Sequence, residues 1–107
     1  MTDANSPRPT MANNDVLTLA PEGDLVASTV DRQREAMIGV LESAGGNVVL
    51  DLSSVEVIDS LGITLILGLF KSCQKRGVAF SIVGISADIM RVFNLFKLAR
   101  FFPIREA

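Results

Sequence analysis

The chain has 107 residues, 49% of them apolar, enough for one globular domain with a modest core. Its 10 Lys and Arg against 12 Asp and Glu give a formal charge of -2 with no basic stripe, which argues against nucleic acid as the main partner. One cysteine, Cys73, rules out an internal disulfide and fits a reducing cytoplasm, and the lack of histidine removes His general-base, His-ligated metal and phosphohistidine chemistry.

Residues 1–15 are polar, carry Pro7 and Pro9, and have too few large apolar side chains to offset ordering entropy. They read as a flexible tail, leaving 16–107 as the domain. Residues 16–20 form an apolar run of strand type, stopped by Pro21 and a Gly23-Asp24 turn. Ser28, with Asp31 three residues on, is expected to cap a first helix whose inner stripe is Val30, Met37, Leu41 and Ala44. Gly45-Gly46 ends that helix.

Residues 47–52 read as a strand buried on both faces. Residues 53–60 connect it to a second helix, with Val55, Val57 and Ile58 able to plug the core. That helix runs from about Ser60 to Arg76; Lys71, Lys75 and Arg76 suit its C-terminal dipole and Gly77 a left-handed cap. Its apolar run, residues 61–70, spans only ~15 Å as a helix, about half a bilayer's hydrocarbon core. It is therefore expected to be buried, with no direct membrane insertion. No apolar segment of signal type opens the chain, so a cytoplasmic protein is expected.

Residues 78–83 read as the next strand. Ser86 is placed to cap a third helix with Ile89, Val92, Phe93 and Phe96 as its inner stripe; Met90, Leu95 and Leu98 would mark an interface if exposed, but on a short helix they are expected in the core. Residues 101–104 complete the pattern as an edge strand, the position that tolerates Pro103. Strands alternating with helices imply a parallel or mixed sheet covered by helices.

The chemistry concentrates where the second strand gives way to the second helix. Asp24 and Asp51, at the ends of neighbouring strands, project from one sheet edge, and Asp59 directly precedes Ser60. A first helical turn offers unpaired amides and a positive dipole end, so a phosphate on Ser60 would accept from amides near Gly62 and Ile63, and Gly62 has no side chain to obstruct it. An Asp-Ser pair before a helix is equally the ordinary signature of an N-cap. Three aspartates without histidine point away from acid/base or metal chemistry. Cys73, near a helix C-terminus, lacks the electropositive setting that activates thiols. The residues alone leave Ser60 open between cap and modification site.

Residues 51–67, Asp-Leu-Ser-Ser-Val-Glu-Val-Ile-Asp-Ser-Leu-Gly-Ile-Thr-Leu-Ile-Leu, followed by Lys71 and Gly77, resemble the central motif of the STAS family. Gly23-Asp24-Leu25 is similar to that family's G-E-L-D turn, and residues 91–96 resemble its third-helix signature. The resemblance spans residues 16–104. It implies an α/β fold: a small mixed, mostly parallel sheet of four to five strands covered by three or more helices.

The match is to the anti-sigma-factor antagonist type, in which the serine after the motif's Asp is the phosphoacceptor, here Ser60. The resemblance implies a binding switch rather than an enzyme, with no cofactor. An anti-sigma-factor serine kinase of the GHKL type would phosphorylate it and a PP2C-type phosphatase would reverse the step. Asp24, Asp51, Asp59, Ser60, Leu61 and Gly62 form the implied partner surface. Two other roles known on this fold are an accessory subunit of a lipid-transport ABC complex and a stressosome component. Leu61 stands where many members have a second hydroxyl, and Val26 replaces the turn's second acid, thinning the charge there. Lys97 stands where a glycine often ends the third helix; a left-handed conformation there would cost on the order of 1 kcal/mol. Phe101 and Phe102 are expected to be less covered and to contribute to a partner surface.

Overall fold

Turn residues and alternating apolar positions cut the chain into strands joined by helices, seen in a computed structural model that describes residues 16–42 and 45–106. The expected tail, residues 1–15, and Ala44 lie outside the described residues. Strands β1 (Val16–Leu19), β2 (Asn47–Asp51), β3 (Phe80–Ile85) and β4 (Ile104–Glu106) form one sheet in that order, every neighbouring pair parallel. Helices α1 (Val30–Glu42), α2 (Ser60–Arg76) and α3 (Ala87–Leu95) make the crossovers, and a 3-10 turn, Leu98–Arg100, follows α3.

Right-handed crossovers between strands laid down in sequence order deliver every helix to the same face of the sheet. Burial follows that rule. Val48, Leu50, Phe80 and Ile82 are buried on one face, whereas on the other Thr18 is exposed and Val49, Ser81 and Val83 are half-buried. β2, expected to be buried on both faces, is buried on one. Covering both would need helices alternating between the two sides, and this strand order does not provide that.

Helix α1 buries Val30, Met37 and Leu41 as its spacing requires, and also Gln33, whose amide nitrogen donates to the Glu22 carbonyl at 3.3 Å. Its first turn is organised by Thr29, not Ser28. The Thr29 hydroxyl donates to the Asp24 carbonyl at 2.6 Å and accepts from the Val26 amide at 3.1 Å, while Ser28 is exposed. The helix begins one residue later than expected, so the second of two adjacent hydroxyls falls at the boundary.

α2 buries Ile63, Leu65, Ile66, Leu69 and Cys73 and stops at Gly77, which is left-handed with φ 73°. The Arg76 guanidinium donates to the Leu41 and Glu42 carbonyls, tying the ends of α1 and α2 together. Burial pushes the Cys73 thiol up, with Arg76 opposing the shift.

β3 runs two residues later than expected. Its Gly84, at φ 73°, lies in an irregular stretch of the β3–β4 register, the position of a bulge. Ser86 caps α3 as expected, accepting from the Ile89 amide at 3.2 Å, and Ile89 and Phe93 are buried. Phe96 and Leu95, expected inside, are 49% and 81% exposed. The helix stops at Leu95, Lys97 turns the chain back with a left-handed backbone at φ 55°, and Leu98 rather than Phe96 re-enters the core.

The last strand begins at Ile104, three residues after the expected start. Before it, Phe102 is buried, its ring centroid 5.3 Å from Phe70 and 5.2 Å from Phe80, while Phe101 stays half exposed. Phe102 is thus core rather than partner surface. Pro103 precedes the edge strand and contributes its carbonyl to the Ile82 amide at 2.9 Å.

Candidate functional site

Two loops meet at the C-terminal edge of the sheet. Leu25, after β1, and Ile58, after β2, form an isolated parallel bridge. The Leu25 amide donates to the Val57 carbonyl at 3.0 Å and the Asp59 amide to the Leu25 carbonyl at 3.2 Å. Both bridge residues bury their side chains, as does Val55, so apolar burial draws the loops together and the bridge satisfies their backbone groups. Val57, expected to plug the core, instead faces solvent with 52% exposure.

Carboxylates bind this junction. Asp24 accepts from the Glu56 and Val57 amides at 3.2 and 3.0 Å. Asp59 is the N-cap of α2: one oxygen accepts from the Leu61 and Gly62 amides at 2.9 and 3.0 Å, and the other from the Ala27 amide of the opposite loop at 2.9 Å. The capping role open to Ser60 therefore belongs to Asp59, and Ser60 becomes the first helical residue. It is exposed, and among the described residues its hydroxyl makes no hydrogen bond; its carbonyl accepts from the Thr64 hydroxyl at 2.9 Å. Beside it, Leu61 is 46% exposed.

Two details of the expected phosphate cradle change. The Gly62 amide is held by the Asp59 carboxylate and the Ile63 amide by the Asp59 carbonyl at 3.0 Å, so neither points freely at Ser60. Gly62 is buried, and a Cβ there would overlap the Leu25 carbonyl oxygen and lie 2.7 Å from Ile58 Cγ1. Its missing side chain makes room for the neighbouring loop rather than for a ligand.

The acids do not all converge. The Gly62 amide above all, then those of Ala27 and Leu61, hold the Asp59 carboxyl below its ordinary value against partial desolvation. Asp51 is held low by the Ser53 hydroxyl and then by the Ser53 amide. It takes the sheet face opposite Leu50, and a Cβ at Gly84 would lie 2.6 Å from its carboxylate. Asp24 and Asp59 are thus built into the Ser60 junction, whereas Asp51 serves the turn below it. Sequence reasoning missed Gly84; a glycine between Val83 and Ile85, inside an apolar strand run, is the signal of a bulge. Among the described residues, no three His, Cys, Asp or Glu side chains come together as a metal site, and no helix is long and apolar enough to cross a membrane.

This junction lies inside the part of the chain, residues 9–107, that matches the family model for the STAS domain. The chain belongs to the STAS domain family. STAS proteins similar to it include the anti-sigma-B factor antagonist of Staphylococcus epidermidis, 25% identical over 91% of this chain and 90% of that protein. The anti-sigma-B factor antagonist of Listeria monocytogenes is 26% identical over 88% of this chain and 82% of that protein. A solved Thermotoga maritima structure, described as an anti-sigma factor antagonist, superposes with a TM-score of 0.79 at 27% identity, covering 86% of this chain and 80% of that one. The STAS fold seen here, with four parallel strands and three helices, agrees with that likeness.

Proposed function

We propose that this STAS chain is an anti-sigma-factor antagonist, a binding protein without catalytic activity of its own, whose docking is set by phosphorylation of Ser60. The observation that carries this reading is an exposed hydroxyl at the first residue of α2 that the fold does not use, because Asp59 has taken over the cap. The names of the similar proteins from Staphylococcus epidermidis and Listeria monocytogenes support the antagonist role.

The docking surface comprises Ser60, Leu61 and the exposed Val57, edged by Asp24 and Asp59, with Asp51 on the same sheet edge and Gly62 supporting the turn from beneath. Unmodified, it offers Leu61 and Val57 for burial against an anti-sigma serine kinase of the GHKL type. That kinase transfers the γ-phosphoryl of ATP to Ser60 Oγ: the new O–P bond forms, the bond to ADP breaks, and the hydroxyl proton passes to a base of the kinase. The product adds about -1.5 to -2 charge beside Asp24 and Asp59. With nearby amides already engaged, the phosphate stays in solvent, and its repulsion and hydration fall on the docked partner rather than on the fold. A PP2C-type phosphatase restores the hydroxyl by hydrolysis.

Incubation with the cognate kinase and ATP, followed by mass-spectrometric mapping, tests the assignment. Phosphate on Ser60, absent from Ser60→Ala, is the expected result. Label on Ser53, Ser54 or Thr64, or continued labelling of Ser60→Ala, would refute it.

A further inference from the structure

At the opposite end of the sheet, where α3 turns back into the edge strand, three large apolar side chains face solvent: Leu95 at 81%, Phe96 at 49% and Phe101 at 49% exposure. They stand at the end of α3 and around the 3-10 turn that follows it. Lys97 and Arg100 lie between them, both exposed, and the Arg100 guanidinium sits 5.6 Å from the Phe101 ring centre. From residue 89 to residue 104 the chain contains no Asp or Glu, and the remaining cation of that stretch, Arg91, is paired with Asp88 at the start of α3. The acids of the Ser60 junction lie at the other edge. The turn is therefore locally basic on a protein whose formal charge is -2.

The conformation of Lys97 adds a second observation. It is the one non-glycine residue with positive φ among the described residues, a conformation that disfavours an L side chain by roughly 1 kcal/mol. Strain of this kind clusters at functional sites. Here it keeps a cation directly after the exposed Leu95 and Phe96, where glycine would relieve the backbone.

We propose that this turn is a docking surface for an anionic lipid bilayer, entered shallowly by Leu95, Phe96 and Phe101 while Lys97 and Arg100 meet the headgroup charge. Exposed apolar side chains interleaved with Lys and Arg, in a stretch without acids, are the pattern of interfacial binding to an anionic bilayer, which needs no matching pocket. Two cations and three apolar side chains give reversible contact, not anchoring. The geometry leaves the Ser60 edge pointing away from the membrane.

Vesicle flotation of the full chain tests this directly, using phosphatidylcholine alone and an equal mixture of phosphatidylcholine and phosphatidylglycerol. Binding to the mixed vesicles alone, weakened by added salt, is expected. Lys97→Gly, which relieves the backbone, should lower that binding about five-fold, the factor that ~1 kcal/mol per cation at an anionic surface corresponds to. A Phe96→Ser, Phe101→Ser variant with unchanged circular dichroism should abolish it. No binding to the mixed vesicles, or equal binding to both kinds, overturns the proposal. So does a chain that ignores vesicles but loses its cognate kinase on Phe96→Ser, which would make the turn a protein interface. The vesicle readouts do not depend on whether Ser60 is phosphorylated, and the kinase comparison is made on the unmodified chain.

Discussion

Gly62→Ala is the substitution that most directly probes how the two loops are joined. The added Cβ would overlap the Leu25 carbonyl oxygen, stand 2.7 Å from Ile58 Cγ1 and lie 3.0 Å from Leu25 Cβ, all well inside van der Waals contact. Ile58 Cγ1 belongs to a side chain that has some freedom to shift. The carbonyl does not, because it also accepts from the Asp59 amide, so moving it loosens the cap of α2. Overpacking a core costs about 1–3 kcal/mol where neighbours relax; with backbone in the way we expect the upper end, about 3 kcal/mol. For a domain of this size that corresponds to a drop in Tm of about 12–24 °C. Urea denaturation followed by far-ultraviolet circular dichroism reads it as a lower midpoint at unchanged slope. Gly68→Ala, on the same helix, is the control: nothing lies within 4 Å of its Cβ, so it should stabilise by up to ~1 kcal/mol. A loss below about 0.5 kcal/mol for Gly62→Ala would refute the packing argument and return Gly62 to a role in ligand approach.

Ser60→Asp places an acid on an exposed first-turn residue, where the helix dipole tolerates it, so the Tm should move by less than the equivalent of about 0.5 kcal/mol while affinity for the kinase falls. A large fall in Tm by calorimetry would make Ser60 structural. The depressed carboxyl of Asp59 contributes stability that is present above the unfolded value, 3.8, and lost as pH falls through the lower folded value. Asp59→Asn keeps a capping oxygen but not the charge, and urea midpoints measured between about pH 4 and pH 2 should then fall less steeply than in the parent. Lys97→Gly should raise the Tm, by the equivalent of up to ~1 kcal/mol less the extra unfolded-state entropy of glycine; no rise would mean that the left-handed turn costs little here.

The order of elements, the apolar stripes of α1 and α2, the caps Ser86 and Gly77 and the left-handed strain at Lys97 were legible because each rests on spacing or on a residue with one strong preference. What escaped depends on contacts between distant segments. Whether Asp59 or Ser60 caps α2 is decided by the Ala27 amide, 32 residues away, which rewards the aspartate with a third hydrogen bond. Gly62 could be read as room for a phosphate until Leu25 was seen to occupy that room. Phe96 fits the helical stripe of Ile89, Val92 and Phe93, but the helix ends before that stripe can be used. At the site, the motif located Ser60 and its acids, yet only the fold separates Asp24 and Asp59, engaged by the paired loops, from Asp51, engaged by Ser53.

The stitching of residues 24–27 to residues 56–59 has a consequence for variation in this chain. The serine is held by a staple from another segment, so its height and tilt are set as much by the loop after the first strand as by its own helix. Lengthening or shortening that loop by one residue would withdraw Ala27 from Asp59 and Leu25 from Ile58 together. A partner fitted to the serine would register the change although every residue it touches had stayed the same.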